Sequence, residues 1–152
     1  YMINGVKTKK VVPHYDVRGF FAELVKFGEE TFDTIKQTSY TETYPGVIKA
    51  FHWHKKQNDI WFVFKGNARV VLHDIRKDSS TYGKTDVFYC GESDKTVIFI
   101  PSGVAHGYQV LGGSPVGLFY HTTEAYDPKN PDEQRIAFDD SSINFDWSIK
   151  NR

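Results

Sequence analysis

The sequence predicts an all-β domain with little helix, a sandwich or barrel of many short strands. Three observations carry this expectation. Aromatic residues make up 16% of the 152 positions, and aromatic side chains suit a pleated, half-buried surface. Twelve glycines and six prolines interrupt the chain at short intervals, as turns between strands require. No segment sustains a 3.6-residue apolar period over several turns, while period-two and compact apolar runs recur.

Taken in order, Thr8 to Val12 reads as a short strand closed by Pro13. Asp16-Val17-Arg18-Gly19 is a turn ahead of the apolar run Phe20 to Phe27, which as an edge strand needs a cover. Gln37, Ser39, Thr41 and Thr43 alternate along Ile35 to Thr43 and so share one face of an extended segment. Pro45-Gly46 interrupts it before Val47 to Trp53. Ile60 to Lys65 stops at Gly66-Asn67, with Ala68 to Ile75 expected as its hairpin partner. Asp86 to Tyr89, Thr96 to Ile100, Tyr108 to Leu111 and Val116 to Thr122 complete the set. From Asp127 onward, Asp, Pro and Asn cluster, and 127–152 is expected to be a surface tail. With no repeat or linker, a single domain over 1–152 is expected. Met2, the only methionine, reads as the initiator and Tyr1 as an added residue.

Lys and Arg number 19 and so do Asp and Glu, a balance unlike that of a protein held on nucleic acid by phosphate charge. A 39% hydrophobic share also excludes a disordered chain. The one cysteine, Cys90, cannot form an internal disulfide, and no apolar stretch approaches 18 residues. The expectation is a cytoplasmic domain with neither nucleic acid nor membrane as partner.

Three histidines draw attention. His52 and His54 flank Trp53 on an expected strand and therefore point to one face. His106 follows the turn Pro101-Ser102-Gly103-Val104-Ala105. A lone histidine is as readily a structural residue as a functional one. Three on one β scaffold suit metal ligation, a general base with a helper, or phosphate contacts.

Gly46 to His52, then His54, Asp59 and Gly66, follow the first cupin motif, with Asp in place of its Glu. Pro101 to His106 fits half of the second motif, whose later Asn is Val110 here. Within the cupins the chain resembles the dTDP-4-dehydrorhamnose 3,5-epimerase family. Asp16 to Glu23 is similar to its D-x-R-G-x-F-x-E, and Gln37, Ser39, Thr41 and Gly46 fall on its Q-x-N-x-S…G spacing. Gly46 to His52, Asp74 to Gly83, Ile100 to Tyr108 and Leu118 to Thr123 match four further motifs, so that the resemblance runs from Asp16 to about Asp139.

The resemblance implies a cupin-type jelly roll, or double-stranded β-helix. It also implies epimerisation at C3 and C5 of a nucleotide-linked 4-keto-6-deoxyhexose, most simply a dTDP sugar, with no metal or other cofactor. The setting it suggests is cell-surface polysaccharide synthesis, such as lipopolysaccharide O-antigen. His52 matches the family base and Tyr120 the family acid. An imidazole titrating near about 6.5 suits proton removal, and a phenol near about 10 holds its proton until an enolate forms. Arg18, Phe21 and Glu23 match an arm that enters the neighbouring subunit's site, implying a homodimer with strand exchange. Gln37, Lys49 and His106 match positions near diphosphate or sugar, and Tyr126 an aromatic beside the nucleotide. His54 and Asp59 are candidate helpers.

Three departures stand out. Asp59 occupies the position of the lysine that stabilises the enolate oxygen, where a carboxylate repels developing negative charge. Lys49 replaces an arginine and loses its bidentate geometry. The tail Asn144 to Lys150 offers no equivalent of the C-terminal aspartate that orients the base, leaving Asp59, Asp74 or nothing in that role. These departures keep other readings open. One is a nucleotide-sugar 3,4-ketoisomerase, whose F-H-x-H-K-K resembles Phe51 to Lys56. Another is a metal cupin using His52, His54, Asp59 and His106. The third is a nucleotide-sugar binding protein without catalysis.

Overall fold

The computed structural model describes residues 1–151 and contains no helix among them. Arg152, the last residue of the expected domain, lies outside the described residues. Strands β1 (Lys7–Lys10), β4 (Gln37–Thr43), β6 (Asp59–Lys65), β9 (Thr96–Ile100) and β11 (Val116–Thr122) form one sheet in the order β1-β9-β6-β11-β4. Strands β5 (Ile48–Trp53), β7 (Asn67–Asp74), β8 (Thr85–Gly91), β10 (Val104–Leu111) and β12 (Gln134–Arg135) form a second, ordered β12-β5-β10-β7-β8. A hairpin of β2 (His14–Asp16) and β3 (Gly19–Phe21) stands apart. Every pairing is antiparallel, and the fold is the expected cupin-type jelly roll.

Between the sheets, Trp61 and Val63 of β6, Ile98 and Ile100 of β9 and Leu118 of β11 meet Val70 and Leu72 of β7 and Tyr108 and Val110 of β10. Both outer faces are covered as well. Ala22, Leu24 and Val25 pack on Val11, Ile60, Phe62 and Val97 outside the first sheet. Ile143 and Trp147 pack on Phe51, Val71 and Ala105 outside the second. Covering both faces explains why β6 and β7 read as continuous apolar runs rather than alternating ones. Burial of a ring such as Phe51, fully enclosed here, contributes roughly 1.5–3 kcal/mol.

That double coverage corrects one expectation. Ile60 to Lys65 and Ala68 to Ile75 are not a hairpin: β6 pairs with β9 and β11, whereas β7 pairs with β8 and β10. Each has a neighbour on both sides in its own sheet, and Gly66 carries the chain between the two with φ of +69°. The run Phe20 to Phe27 is likewise a strand only as far as Phe21. The stretch beyond it is the irregular cover of the first sheet.

The segment after Asp127, expected as a surface tail, is tied into the second sheet. Gln134 and Arg135 pair with Trp53 and His52 at its edge. Arg69 and Gln109 both donate to the Trp147 carbonyl, at 2.5 and 3.0 Å.

Candidate active site

His52 lies near the end of β5, with His54 just beyond it, and both face the interior between the sheets. On the neighbouring strand, His106 stands in register with His52. The register slips between His106 and Tyr108, where β10 passes very close to β5. A methyl group on Gly107 would press on the Ala50 side chain and lie 2.6 Å from the Lys49 carbonyl oxygen. Glycine at 107 is what lets the two histidine-bearing strands meet. From the opposite sheet, Asp59 opens β6, and Tyr120 lies on β11 opposite Trp61.

These residues enclose a cavity of about 380 Å³, lined by Lys49, His52, His54, Asp59, His106 and Tyr120 together with Thr41, Trp61, Tyr108, Glu133 and Arg135. It shares His54, Gln57, Tyr120 and Glu133 with an outer cleft of about 770 Å³. Gln37, Lys55, Lys56 and Tyr126 line that cleft. Gln37 accepts a hydrogen bond from the Tyr126 backbone N–H at 2.8 Å, joining two expected contact residues. Lys49 projects beside Thr41, 3.2 Å from its hydroxyl.

Arg18, Phe21 and Glu23 are not at this cavity. They lie on or beside the β2–β3 hairpin, whose residues His14 to Phe21 are all exposed. Arg18 pairs with Asp16 at 2.5 Å and Glu23 with Lys26 at 3.5 Å.

The partner of His52 is a residue that sequence reasoning missed. His52 Nδ1 lies 2.7 Å from Glu133 Oε1. An ionised carboxylate only accepts, so Nδ1 carries the proton and Nε2 presents a lone pair. Asp59 and Asp74, the expected orienters, are engaged elsewhere. Asp74 is held by Arg76, Ser79 and Thr81. Asp59 accepts from Gln57 Nε2 at 2.8 Å and Trp61 Nε1 at 3.1 Å.

Glu133 reaches His52 because its neighbour is anchored. The Asp132 carboxylate accepts the backbone N–H groups of Lys55, Lys56 and Gln57 at 2.7, 2.9 and 3.0 Å. Burial raises the Asp132 carboxyl pKa, but these three bonds outweigh it and the net shift is downward. The Asp132 carbonyl also accepts from His54 Nδ1 at 2.5 Å.

Deeper in the cavity, His54, Asp59 and His106 converge, with their ligating atoms within 4.8 Å of one another. His106 is fully enclosed, and burial holds its imidazole down to about 4 against the pull of Asp59. Burial thus favours its neutral form. His52, expected as a fourth member of any metal set, is not part of this cluster; its Nδ1 belongs to Glu133.

The arrangement offers an oriented base, a phenol on the facing sheet and basic residues at the rim. The family model described as dTDP-4-dehydrorhamnose 3,5-epimerase matches residues 1–152. A Bacillus subtilis protein named for spore coat polysaccharide biosynthesis is 53% identical over 99% of this chain and 100% of its own length. A Haloferax volcanii protein named a probable low-salt glycan biosynthesis epimerase is 36% identical over 97% of this chain and 96% of its own. Among solved structures, a Legionella pneumophila 3,5-epimerase in complex with dTDP-4-keto-L-rhamnose is 26% identical. It aligns with a TM-score of 0.87 over all of this chain and 83% of that one. The chain belongs to the dTDP-4-dehydrorhamnose 3,5-epimerase family, a family of isomerases.

Proposed function

We propose that the protein epimerises C3, C5 or both in a dTDP-linked 4-keto-6-deoxyhexose. The observation that carries the reading is the pairing of His52, with Nδ1 held by Glu133, against Tyr120 on the facing sheet of one cavity. The C4 ketone acidifies the protons on C3 and C5. His52 Nε2 removes one, and the electron pair moves into an enolate. Tyr120 then returns a proton from the opposite ring face, inverting the centre. Lys49 and Arg135 supply positive charge at the rim for the diphosphate, and Gln37 and Tyr126 line the outer cleft where the nucleotide extends.

The protein works as a homodimer in this reading. Tyr15, Val17, Phe20 and Phe21 are exposed on the β2–β3 hairpin, an apolar arm with little of its own chain to pack on. Crossing to a second copy covers it and carries Arg18, Phe21 and Glu23 to the partner's nucleotide. The product enters cell-surface polysaccharide synthesis, as the names of the Bacillus and Haloferax relatives suggest for those proteins. The lipopolysaccharide O-antigen is one such polymer. A nucleotide-activated substrate makes the cytoplasm the site of action, and no helix among the described residues is long and apolar enough to cross a membrane.

Incubation with dTDP-4-keto-6-deoxyglucose in heavy water tests the reading. Deuterium should enter C3 or C5 while C4 remains the ketone, and His52→Asn should lower the rate by about 10²–10⁴-fold with nucleotide affinity nearly unchanged. A ketone that migrates to C3 would instead make the protein a ketoisomerase. Undiminished exchange in His52→Asn would remove this mechanism.

A further inference from the structure

Asp59 puts a carboxylate into the same cavity as His52 and Tyr120, with its side chain only 4% exposed. Both of its oxygens accept hydrogen bonds. Oδ1 takes Gln57 Nε2 at 2.8 Å, and Oδ2 takes Trp61 Nε1 at 3.1 Å. The Trp61 ring stands edge-on to His106, with centroids 5.1 Å apart, so the donor that holds Oδ2 is itself held. A carboxylate offers about four acceptor positions, and these two bonds leave the others free. The neighbouring imidazoles do not fill them. Nε2 of His54 lies 3.7 Å from Oδ1 and Nε2 of His106 lies 3.8 Å from Oδ2, beyond hydrogen-bond reach whatever charge the rings carry.

A fixed, buried acceptor restricts which part of a sugar can lie against it. On a 4-keto-6-deoxyhexose, C4 carries a ketone that becomes an enolate, C5 carries a methyl group, and C1 carries the diphosphate. None of these groups donates, and a carboxylate repels the enolate and the diphosphate. The donors are the hydroxyls on C2 and C3. C2 adjoins C1, whose diphosphate runs to the basic rim at Lys49 and Arg135. C3 adjoins the ketone and lies one carbon farther from that charge.

Resting on the epimerase reading, we propose that Asp59 is a specificity-determining residue that accepts a hydrogen bond from the C3 hydroxyl of the substrate. The bond gives the buried carboxylate a further donor, which burial makes valuable. It admits sugars that carry a 3-hydroxyl and disfavours those that lack it, because a site built around a hydroxyl leaves a polar group underused when the hydroxyl is missing.

The test compares dTDP-4-keto-6-deoxyglucose with its 3-deoxy and 2-deoxy analogues. Deuterium entry at C3 or C5 is followed on the parent protein. Binding is measured by calorimetry on His52→Asn, so that turnover does not alter the ligand. A hydrogen bond to a charged acceptor corresponds to about 10–100-fold in affinity. The 3-deoxy sugar should bind that much more weakly than the 3-hydroxyl sugar, and the 2-deoxy sugar within about threefold of it. Adding Asp59→Ala should bring the 3-deoxy and 3-hydroxyl sugars within about threefold of each other, with the loss falling on the hydroxyl sugar. Asp59→Asn, which keeps a neutral acceptor, should retain part of the preference. dTDP alone should bind all of these proteins alike. If circular dichroism finds the Asp59 variants unfolded, the three sugars on protein with Asp59 intact decide the matter. Equal affinity for the 3-deoxy sugar, discrimination at C2 instead of C3, or a preference that survives in folded Asp59→Ala would overturn the assignment. Deuterium entry without a 3-hydroxyl preference removes the Asp59 role alone. A 3-hydroxyl preference without deuterium entry removes the epimerase reading and leaves Asp59 as the residue that reads the hydroxyl.

Discussion

Glu133 should govern how fast His52 removes a proton. The perturbation is Glu133→Gln, compared with Glu133→Ala. Glutamine keeps an oxygen that accepts Nδ1–H and so preserves ring orientation while deleting the charge that steadies the imidazolium. The carboxylate lies 2.7 Å from Nδ1. A hydrogen bond to a charged group contributes about 1.5–3 kcal/mol. The two side chains are 32% and 38% exposed, so solvent screening reduces this to about 1–2 kcal/mol. At about 1.4 kcal/mol per decade, Glu133→Gln should slow solvent exchange at C3 or C5 by about 5–30-fold. Glu133→Ala also frees the ring and should cost more. Its limit is the contribution of the base itself, about 10²–10⁴-fold. The assay is the initial rate of deuterium incorporation at saturating dTDP-4-keto-6-deoxyglucose, with KM measured beside it. The loss should fall on kcat. In a His52→Asn background, Glu133→Gln should do no further harm. Full exchange in Glu133→Ala, or a loss confined to KM, would refute the role.

Other outcomes follow from the same geometry. Asp132→Ala removes three backbone N–H partners and should cost about 2 kcal/mol by urea denaturation, while slowing exchange as Glu133→Ala does. Gly107→Ala drives a methyl group into Ala50 and the Lys49 carbonyl; it should cost about 1–3 kcal/mol or more, and thermal melting should reveal the loss. Asp74 is fully buried, which raises its carboxyl pKa, but bonds from Arg76, Ser79 and Thr81 outweigh burial and hold it well below the usual carboxylate range. A folded value below the unfolded one, about 3.9, means stability present at neutral pH and lost as pH falls below about 4. Asp74→Asn should therefore be less stable to urea by about 3 kcal/mol at pH 7 and show a flatter acid limb than the parent protein.

Much of this molecule was legible in its sequence, and the failures have physical causes. Strand β4 follows directly from alternation, and β9 and β11 from short apolar runs near turn residues; His52, His54, His106 and Tyr120 do meet at one cavity. The β6–β7 pairing was misread because a glycine turn between two apolar runs serves a corner between sheets as well as a hairpin. The first half of β10 was hidden by Gly103 and Gly107. Gly107 belongs to the strand only because β5 leaves no room for a side chain, a constraint that exists between strands and not along one. Glu133 lay in a segment whose Asp, Pro and Asn content reads as solvent-facing, beside a strand of two residues too short to carry a period. The acidic pair Asp132-Glu133 was the one available signal, and its meaning depends on a loop some 75 residues earlier in the chain.

That pair also explains why the two histidines of the H-x-H motif take different tasks. Same-face histidines on one strand invite a shared ligand, yet each Nδ1 here has its own acceptor from adjacent residues: the Glu133 carboxylate for His52 and the Asp132 carbonyl for His54. A carboxylate stabilises an imidazolium, so His52 is fitted to accept a proton on Nε2 and give it up again. A neutral carbonyl fixes ring orientation with less support for positive charge, and it leaves His54 Nε2 turned toward Asp59 at 3.7 Å. The division depends on Asp132 holding the Lys55–Gln57 backbone, because that anchorage brings both acceptors to the strand end at once. The two histidines can then line a single cavity without sharing an acceptor.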